Sequence, residues 1–273
     1  LCSHPGVDKI SFTGSTEVGK AIMRAAGDNL QKVTLELGGK TANIIWPDAD
    51  LDAAVASTVF TSCYNSGQIC TTGSRLVTHA SIHDDFVAQL KEKLDGLQVG
   101  DPMRDETKLG PIVSRKQYDK VNSYVAIGQE EYESIVCGTR QADLDRGFYV
   151  NPTIFDRVEP SARIATEEIF GPVLSVINFE DEEEVVRIAN QTSYGLATAI
   201  WTRDISRAHR LAARVDSGFV WVNTNNYWTP SIPYEGHRQS GVGADMGLEA
   251  VESYTKLKNV IVDLDPTPNP WID

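Results

Sequence analysis

One cysteine of this 273-residue chain lies in a setting that favours nucleophilic chemistry. Cys70 occurs in NSGQICTTG, a bend rich in Gly, Ser and Thr between a predicted helix and a predicted strand. Loops held by a rigid scaffold often carry nucleophiles, and backbone N–H donors near a thiol favour the thiolate at neutral pH. A lone loop cysteine is still more often inert. A cysteine hydrolase would need a histidine beside Cys70, and the sequence flags none of its five histidines for that place.

A carboxylate at a position expected to be half-buried could act as a base. Glu36 lies between Leu35 and Leu37 at the end of an apolar strand pattern. Such a carboxylate is either paired or functional, because loss of water raises its pKa toward the range of a useful base. Cys63 lies on the apolar-patterned helix that precedes Cys70, and it is predicted to be a core residue instead.

The segment GSTEVGKA, residues 14–21, follows a predicted strand and nearly matches the phosphate-binding pattern of NTPases. The last position fails, because Ala21 has no hydroxyl group for Mg²⁺. Its backbone N–H groups could still bind a phosphate. The pattern leaves two interpretations open, an ordinary strand–helix turn and a dinucleotide-phosphate site, and it disfavours an NTPase.

Two further spacings imitate binding motifs. In SGVGADMG, Gly247 comes one position too late after Gly241 and Gly243 for a dinucleotide fingerprint, so a loop with a turn is predicted. His79 and His83 have the i,i+4 spacing of metal ligands, but they straddle a predicted strand end and helix start and lack a nearby third ligand. The sequence therefore predicts no metal site.

Short apolar strands alternate with amphipathic helices along most of the chain, which predicts an α/β fold with a largely parallel sheet covered on both faces. Asp50 is a predicted N-cap, and the acidic run at 181–184 favours a helix start through the helix dipole. The predicted strands cover residues 8–14, 32–39, 42–46, 74–79, 172–180, 196–202 and 218–223, and the predicted helices cover residues 15–27, 50–65, 83–97, 181–191 and 204–218.

Three stretches, residues 100–110, 141–152 and 223–243, are predicted to be irregular, and long loops in a compact domain are often functional. The third is the most interesting. Residues 256–265 alternate between apolar and polar before a Pro-rich tail, which predicts a terminal strand. An unpaired edge strand invites a partner chain, so this strand is predicted to pair with another subunit.

Composition disfavours several classes of partner. A formal charge of −13 without a compensating basic cluster argues against nucleic acid and anionic membranes. No apolar run approaches the ~20 residues that span a bilayer, and the four cysteines form no CxxC pair, which together favour a cytoplasmic protein. Because the chain begins with Leu1 and soon enters a strand, we expect an N-terminal portion of the domain to be missing.

Five motifs together carry a family resemblance. FTGSTEVGK, LELGGK, GQIC, EEIFGPV and PYEGHRQSG, which span residues 12–241, resemble the ordered motif set of the aldehyde dehydrogenase superfamily. The resemblance implies an α/β fold of mostly parallel sheets, with part of a Rossmann-type domain and a catalytic domain. It also implies that Cys70 is the nucleophile and Glu36 the general base. By the same resemblance, Gly14 and Ser15 meet the cofactor pyrophosphate, and Glu168 and Phe170 hold the nicotinamide end.

The implied reaction is oxidation of an aldehyde to a carboxylic acid with NAD or NADP, through a thiohemiacetal and a thioester on Cys70. The choice between the two cofactors stays open. The positions of Tyr227, Trp228 and Tyr234 match those that line the aldehyde tunnel in relatives, although core aromatics that anchor a loop are an equal alternative for each. The chain departs from the family at Glu235, where relatives usually have a second glycine.

The resemblance also implies an organisation and an assembly. Residues 1–37 would belong to a nucleotide-binding domain, residues 38–240 to the catalytic domain, residues 241–255 to the nucleotide-binding domain again, and residues 256–273 to an oligomerisation strand and tail. A homodimer or homotetramer is expected. The main alternative is a non-catalytic or inactive chain that kept the fold.

Overall fold

Strands and helices alternate along the chain as predicted. The computed structural model describes residues 1–141, 144, 146–264 and 271. The helices are α1 (Thr16–Gly27), α2 (Leu51–Cys63), α3 (His83–Asp95), α4 (Arg115–Glu131), α5 (Arg163–Thr166), α6 (Glu182–Asn190), α7 (Ile205–Ala212) and α8 (Gly247–Ser253). The strands are β1 (Lys9–Thr13), β2 (Lys32–Glu36), β3 (Ala42–Ile45), β4 (Arg75–His79), β5 (Gln98–Val99), β6 (Ser134–Val136), β7 (Thr139–Arg140), β8 (Thr153–Phe155), β9 (Val173–Phe179), β10 (Tyr194–Gly195), β11 (Ala197–Trp201), β12 (Phe219–Val222), β13 (Tyr234–Glu235), β14 (His237–Arg238), β15 (Gly241–Val242) and β16 (Ala244–Asp245).

The main sheet has an apolar core on each of its faces. In the described part of the chain its strand order is β12-β11-β3-β4-β9-β8-β6, and every pairing is parallel except that of β6 with β8. Successive side chains of a strand point to opposite faces, so Ile44 and Val77 enter one core while Ile45 and Leu76 enter the other. Each such residue stabilises the fold by ~1.5–3 kcal/mol through burial.

A second, smaller sheet pairs two strands near the start of the chain with a strand near residue 241. β1 and β2 pair in parallel, and β15 joins β2 antiparallel with Gly241 opposite Glu36. Its small core contains Ile22, Leu35 and Leu37. A segment near residue 241 therefore returns to the strands at the start of the chain. The domain boundaries after residues 37, 240 and 255 stay a prediction.

Helix caps follow the sequence where polar residues precede a helix. The Asp50 side chain accepts a hydrogen bond from the Ala53 backbone N–H at 3.1 Å, which confirms the predicted N-cap of α2. Asp181 caps α6 in the same way, with 2.8 Å to the Glu184 backbone nitrogen. The acidic run thus begins a helix, as expected from the helix dipole.

Helix α4 was not predicted, because its apolar stripe is weak: only Val121 and Gly128 are buried, whereas Tyr118, Tyr124 and Val125 are only partly buried against the main core. A signal was nevertheless present. Ser114 and Gln117 have the spacing of a capping box, and the Gln117 backbone N–H donates to the Ser114 hydroxyl at 3.2 Å.

The prediction of an irregular 223–243 stretch was wrong in part, because β13, β14 and β15 lie within it. Strands of two residues are too short to leave an alternating pattern. Of the 141–152 stretch, residues 142, 143 and 145 lie outside the described residues.

In the part of the chain that the structure describes, the segment predicted as a terminal strand forms no strand pair. Residues 256–264 are without regular secondary structure, and residue 265 lies outside the described part. The apolar side chains of Leu257, Val260, Ile261 and Leu264 are exposed. Pairing of this segment with another subunit stays a prediction.

None of the helices among the described residues is both long enough and apolar enough to cross a membrane.

Candidate active site

A cavity of about 770 Å³ gathers most of the residues that the sequence singled out. The predicted residues that line it are Gly14, Ser15, Cys70, Glu168, Phe170 and Trp228. Glu36, Tyr227 and Tyr234 are not part of its lining, although Leu37 and Gly38, which directly follow Glu36, are. A thiol, a carboxylate and a helix N-terminus therefore face one space.

Cys70 follows a tight bend that ends helix α2 two residues earlier than predicted. The backbone of Asn65, Ser66 and Gly67 turns through left-handed conformations, with φ of 52°, 56° and 70°. A Cβ on Gly67 would lie 2.4 Å from the carbonyl carbon of Gly171, so only glycine permits this contact. The bend that presents the thiol is thus packed directly against the EEIFGPV motif.

Gly39 of the LELGGK motif packs against the backbone of Cys70. A Cβ on Gly39 would lie 2.3 Å from the carbonyl oxygen of Cys70, and a backbone atom cannot swing aside. The Gly39 backbone N–H also donates to Glu168 Oε1 at 3.1 Å. One short motif therefore carries Glu36 and contacts both Cys70 and Glu168.

The Cys70 thiol is harder to ionise than the sequence suggested. Burial raises its pKa, and the negative charges of Glu36 and Glu168 raise it further. A hydrogen bond with Tyr234 and the Thr71 backbone N–H oppose this shift. The donors thus act in the expected direction, but burial and the two carboxylates outweigh them.

Glu36 has the environment of a base rather than of a structural ion. Its side chain is buried, and neither carboxylate oxygen has a hydrogen-bond partner among the described residues. Burial, with the charges of Asp245 and Glu235, raises the pKa of Glu36 to about 8. A buried carboxylate without a partner is costly to a fold, which indicates a functional position.

The EEIFGPV motif is held by a residue that the sequence analysis missed. Gln117 of helix α4 donates from Nε2 to the backbone oxygens of Ile169 and Phe170, at 2.9 Å each. These bonds fix Phe170 in a left-handed conformation, with φ of 60°. Gln117 and Lys120 line the cavity, and the Lys120 charge lowers the pKa of Glu168 against the raising effect of burial, which prevails.

Aromatic side chains form one wall of the cavity. Trp228 belongs to this wall, as do Phe60 and Tyr64, two residues at the end of α2 that the sequence analysis did not select. The rings of Phe60 and Tyr64 lie 4.9 Å apart. Tyr227 is exposed, and its backbone oxygen accepts from Trp221 Nε1 at 2.7 Å.

The competing motifs do not assemble into sites. Lys20, the lysine of the NTPase-like pattern, donates to Gln239 Oε1 at 2.9 Å and does not line the cavity. His83 is buried with its Nδ1 2.9 Å from Thr78 Oγ1, whereas the ring of His79 lies against that of Trp46. The described residues contain no group of three or more His, Cys, Asp or Glu arranged to hold a metal.

Comparison with known proteins identifies the family. The profile described as "Aldehyde dehydrogenase family" matches residues 1–260. The chain belongs to the aldehyde dehydrogenase family. The family resemblance of the five motifs and the α/β fold are thereby confirmed.

Similar aldehyde dehydrogenases include two curated proteins and a crystal structure. Betaine aldehyde dehydrogenase of Brucella anthropi is 39% identical over 99% of this chain and 56% of its own length. The enzyme of that name from Bacillus subtilis is 42% identical over 100% of this chain and 56% of its own length. Betaine aldehyde dehydrogenase of Staphylococcus aureus, in complex with NAD+, has 35% identity and a TM-score of 0.94, covering 99% of this chain and 54% of its own. This aldehyde dehydrogenase chain thus spans about half the length of the curated relatives it matches.

The contact between Gly39 and Cys70 makes a prediction about stability. Gly39→Ala should lower the free energy of unfolding by ~1–3 kcal/mol, because the new Cβ would overlap the Cys70 carbonyl oxygen. Chemical denaturation of the intact protein measures this. Gly27→Ala is the matched control, since a Cβ there meets nothing within 4 Å, and it should be neutral or slightly stabilising. Equal losses in both variants would contradict the close contact.

Proposed function

We propose that this chain carries the nucleophile and the general base of an enzyme that oxidises an aldehyde to a carboxylic acid with NAD or NADP. The observation that carries the proposal is that Cys70 and Glu168 line one cavity together with part of the LELGGK motif, which contains Glu36. Family membership supports the reaction class. Cys70 is assigned as the nucleophile and Glu36 as the base.

The cofactor residues suit a dinucleotide. Gly14 and Ser15 line the cavity at the start of helix α1, where Ser15 is the N-cap. Unpaired N–H groups and the helix dipole favour phosphate at such an end. Glu168 and Phe170 line the same cavity and are assigned to the nicotinamide ribose and ring. The Staphylococcus aureus relative, solved with NAD+, supports NAD as the cofactor.

In the first half-reaction the Cys70 sulfur forms a bond to the aldehyde carbon, and the carbonyl π pair moves to oxygen. The Cys70 backbone N–H donates to no acceptor among the described residues, so it is free to stabilise this oxyanion. A bound oxidised nicotinamide, held by Glu168 and Phe170, would supply the acceptor for the hydride of the thiohemiacetal carbon. The carbonyl re-forms, and Cys70 then holds a thioester.

In the second half-reaction Glu36 activates water. The ionised carboxylate takes a proton from water as the oxygen attacks the thioester carbon, and the C–S bond then breaks to return the Cys70 thiolate and release the acid. A pKa of about 8 leaves Glu36 partly ionised near neutral pH and makes it a strong base once ionised.

The cavity wall suggests the kind of aldehyde. Phe60, Tyr64 and Trp228 present aromatic surface, which suits an apolar or aromatic substituent. Aromatic faces also attract quaternary ammonium groups, such as the one in betaine aldehyde, the substrate in the relatives' names. We propose as the substrate an aldehyde with an apolar, aromatic or quaternary ammonium substituent.

The alternatives are separated by the site. A cysteine hydrolase is disfavoured because no histidine is among the described residues that line the cavity with Cys70. A non-catalytic chain with this fold is the second candidate, which an intact protein without aldehyde-oxidising activity would favour. Assembly as a homodimer or homotetramer through residues 256–264 is proposed from their exposed apolar side chains.

The nucleophile is tested by comparing two cysteines. Cys70→Ala should reduce aldehyde oxidation by the intact protein by roughly 10³–10⁶-fold, because no thioester can form. The absorbance of the reduced cofactor, formed from NAD+, measures this rate. Cys63→Ala is the control, since Cys63 is buried in the main core. Turnover of Cys70→Ala at the wild-type rate would remove Cys70 from the mechanism.

The base is tested by separating the two half-reactions. Glu36→Gln should preserve a rapid burst of cofactor reduction, equal to one turnover, and slow the steady state by about 10²–10⁴-fold, because water attack lacks its base. Rapid-mixing absorbance measures both phases. A lost burst with normal thioester hydrolysis would contradict the role in deacylation.

The raised pKa of Glu36 predicts a pH dependence. Deacylation should rise with pH and level off above about 8, as the carboxyl group becomes ionised. Glu235→Gln removes a negative neighbour, which favours ionised Glu36 and should move this rise to lower pH by roughly half a unit, given screening by solvent. Steady-state rates across pH measure the shift. Glu92→Gln, an exposed change on α3, should leave the profile in place, and a Glu235→Gln profile that matches it would contradict the charge effect.

A further inference from the structure

The hydroxyl of Tyr234 is the side-chain group that contacts the nucleophilic sulfur. Tyr234 Oη lies 3.8 Å from Cys70 Sγ, within hydrogen-bond distance for sulfur. Among the described residues this hydroxyl has no other hydrogen-bond partner. The sequence analysis assigned Tyr234 only to the wall of an aldehyde tunnel, and the structure instead brings its polar end to the thiol.

The Tyr234 ring is held so that its hydroxyl stays near the sulfur. The residue begins β13, where it pairs with Asp245 of the antiparallel strand β16. Its ring packs against Phe219, the first residue of β12, with 5.4 Å between centroids and an interplanar angle of 40°. Tyrosine has only two side-chain torsions before the hydroxyl, so backbone pairing and one ring contact suffice to orient it.

The chemistry fixes the direction of this hydrogen bond once sulfur is ionised. A thiolate has no proton and can only accept. Burial raises the pKa of Tyr234, and the charge of Cys70 raises it further, so the phenol keeps its proton and donates. The other titratable groups that act on Cys70 are Glu36 and Glu168, and both oppose a thiolate. The Tyr234 hydroxyl is thus placed to stabilise a Cys70 thiolate against the repulsion of these two carboxylates.

We propose that Tyr234 is a further catalytic residue, whose hydroxyl donates a hydrogen bond to the Cys70 thiolate before attack and again when the thiolate leaves the thioester. The proposal rests on the proposed role of Cys70 as the nucleophile. No proton is transferred by Tyr234, since the bond stabilises the anion in both half-reactions. The hydroxyl is released only while sulfur is bonded to the substrate carbon.

The test measures thiolate formation without measuring turnover. The intact protein is treated with iodoacetamide across a range of pH, and mass spectrometry of the Cys70 peptide follows its alkylation. Tyr234→Phe should slow alkylation about 3–10-fold at pH 7 and move the profile to higher pH, because a hydrogen bond to the charged form is lost. Rates at high pH, where the thiol is fully ionised, should match or exceed those of the wild type.

Tyr254→Phe is the matched control, because it removes a hydroxyl from an exposed tyrosine that is not among the described residues lining the cavity with Cys70. Its alkylation profile should overlay the wild-type profile. An overlay of Tyr234→Phe with the wild type would overturn the proposal. If Tyr234→Phe fails to fold, 3-fluorotyrosine at position 234 keeps the ring and makes the phenol a stronger donor. It should move the profile to lower pH, and an unchanged profile would overturn the proposal equally.

Failure of this proposal is distinct from failure of the proposed function. Full aldehyde oxidation by Cys70→Ala would refute the proposed nucleophile, whatever Tyr234 does. Unchanged thiol reactivity in Tyr234→Phe would refute the hydrogen bond while leaving Cys70 in place. The two measurements use different readouts, so each outcome identifies which statement is wrong.

Discussion

The close approach of Gly39 to the Cys70 carbonyl is the contact on which the rest of the site depends. It sets the distance between a strand-borne motif and the bend that carries the thiol. The Gly39 backbone N–H separately holds Glu168 by a hydrogen bond to Oε1. A side chain at this position would push the LELGGK motif away from the bend that carries Cys70, because its Cβ would overlap the Cys70 carbonyl oxygen. Under the proposed mechanism, the absence of a Cβ keeps the motif that carries Glu36 beside Cys70.

Two further contacts between segments distant in sequence hold this arrangement in place. Gly67 lets the bend before Cys70 pack against Gly171, and Gln117 of α4 ties the backbone at Ile169 and Phe170. Together these contacts join the bend, the EEIFGPV motif and a helix into one rigid surround for the cavity. Of the aromatic residues that line the cavity, Phe60 lies in helix α2, which leads into the bend, and Tyr64 directly follows that helix.

Much of the fold could be predicted because burial of strand and helix faces leaves a periodic pattern of apolar residues in the sequence. Strands buried on both faces, such as β3 and β9, and the caps at Asp50 and Asp181 follow from apolar runs and polar punctuation. Helix α4 was missed, since the residues that it packs against the core are mostly half-buried and include two tyrosines, which leaves only a weak apolar period. Strands of two residues around Tyr234 leave no period, so its contact with Cys70 depends on pairing across the fold. The raised pKa of the thiol depends first on burial and then on carboxylates 34 and 98 residues away in the chain.

The charge of Glu36 raises the pKa of the Cys70 thiol. Because Coulomb repulsion is reciprocal, a thiolate at Cys70 opposes ionisation of Glu36 in turn. Under the proposed mechanism, acylation converts the sulfur into a neutral thioester and removes this repulsion. The carboxylate then ionises more easily at the moment when water must be activated. Glu36 would thus be ionised to a larger extent only after a substrate is bonded to Cys70. Its activation of water would be delayed until there is a thioester to hydrolyse.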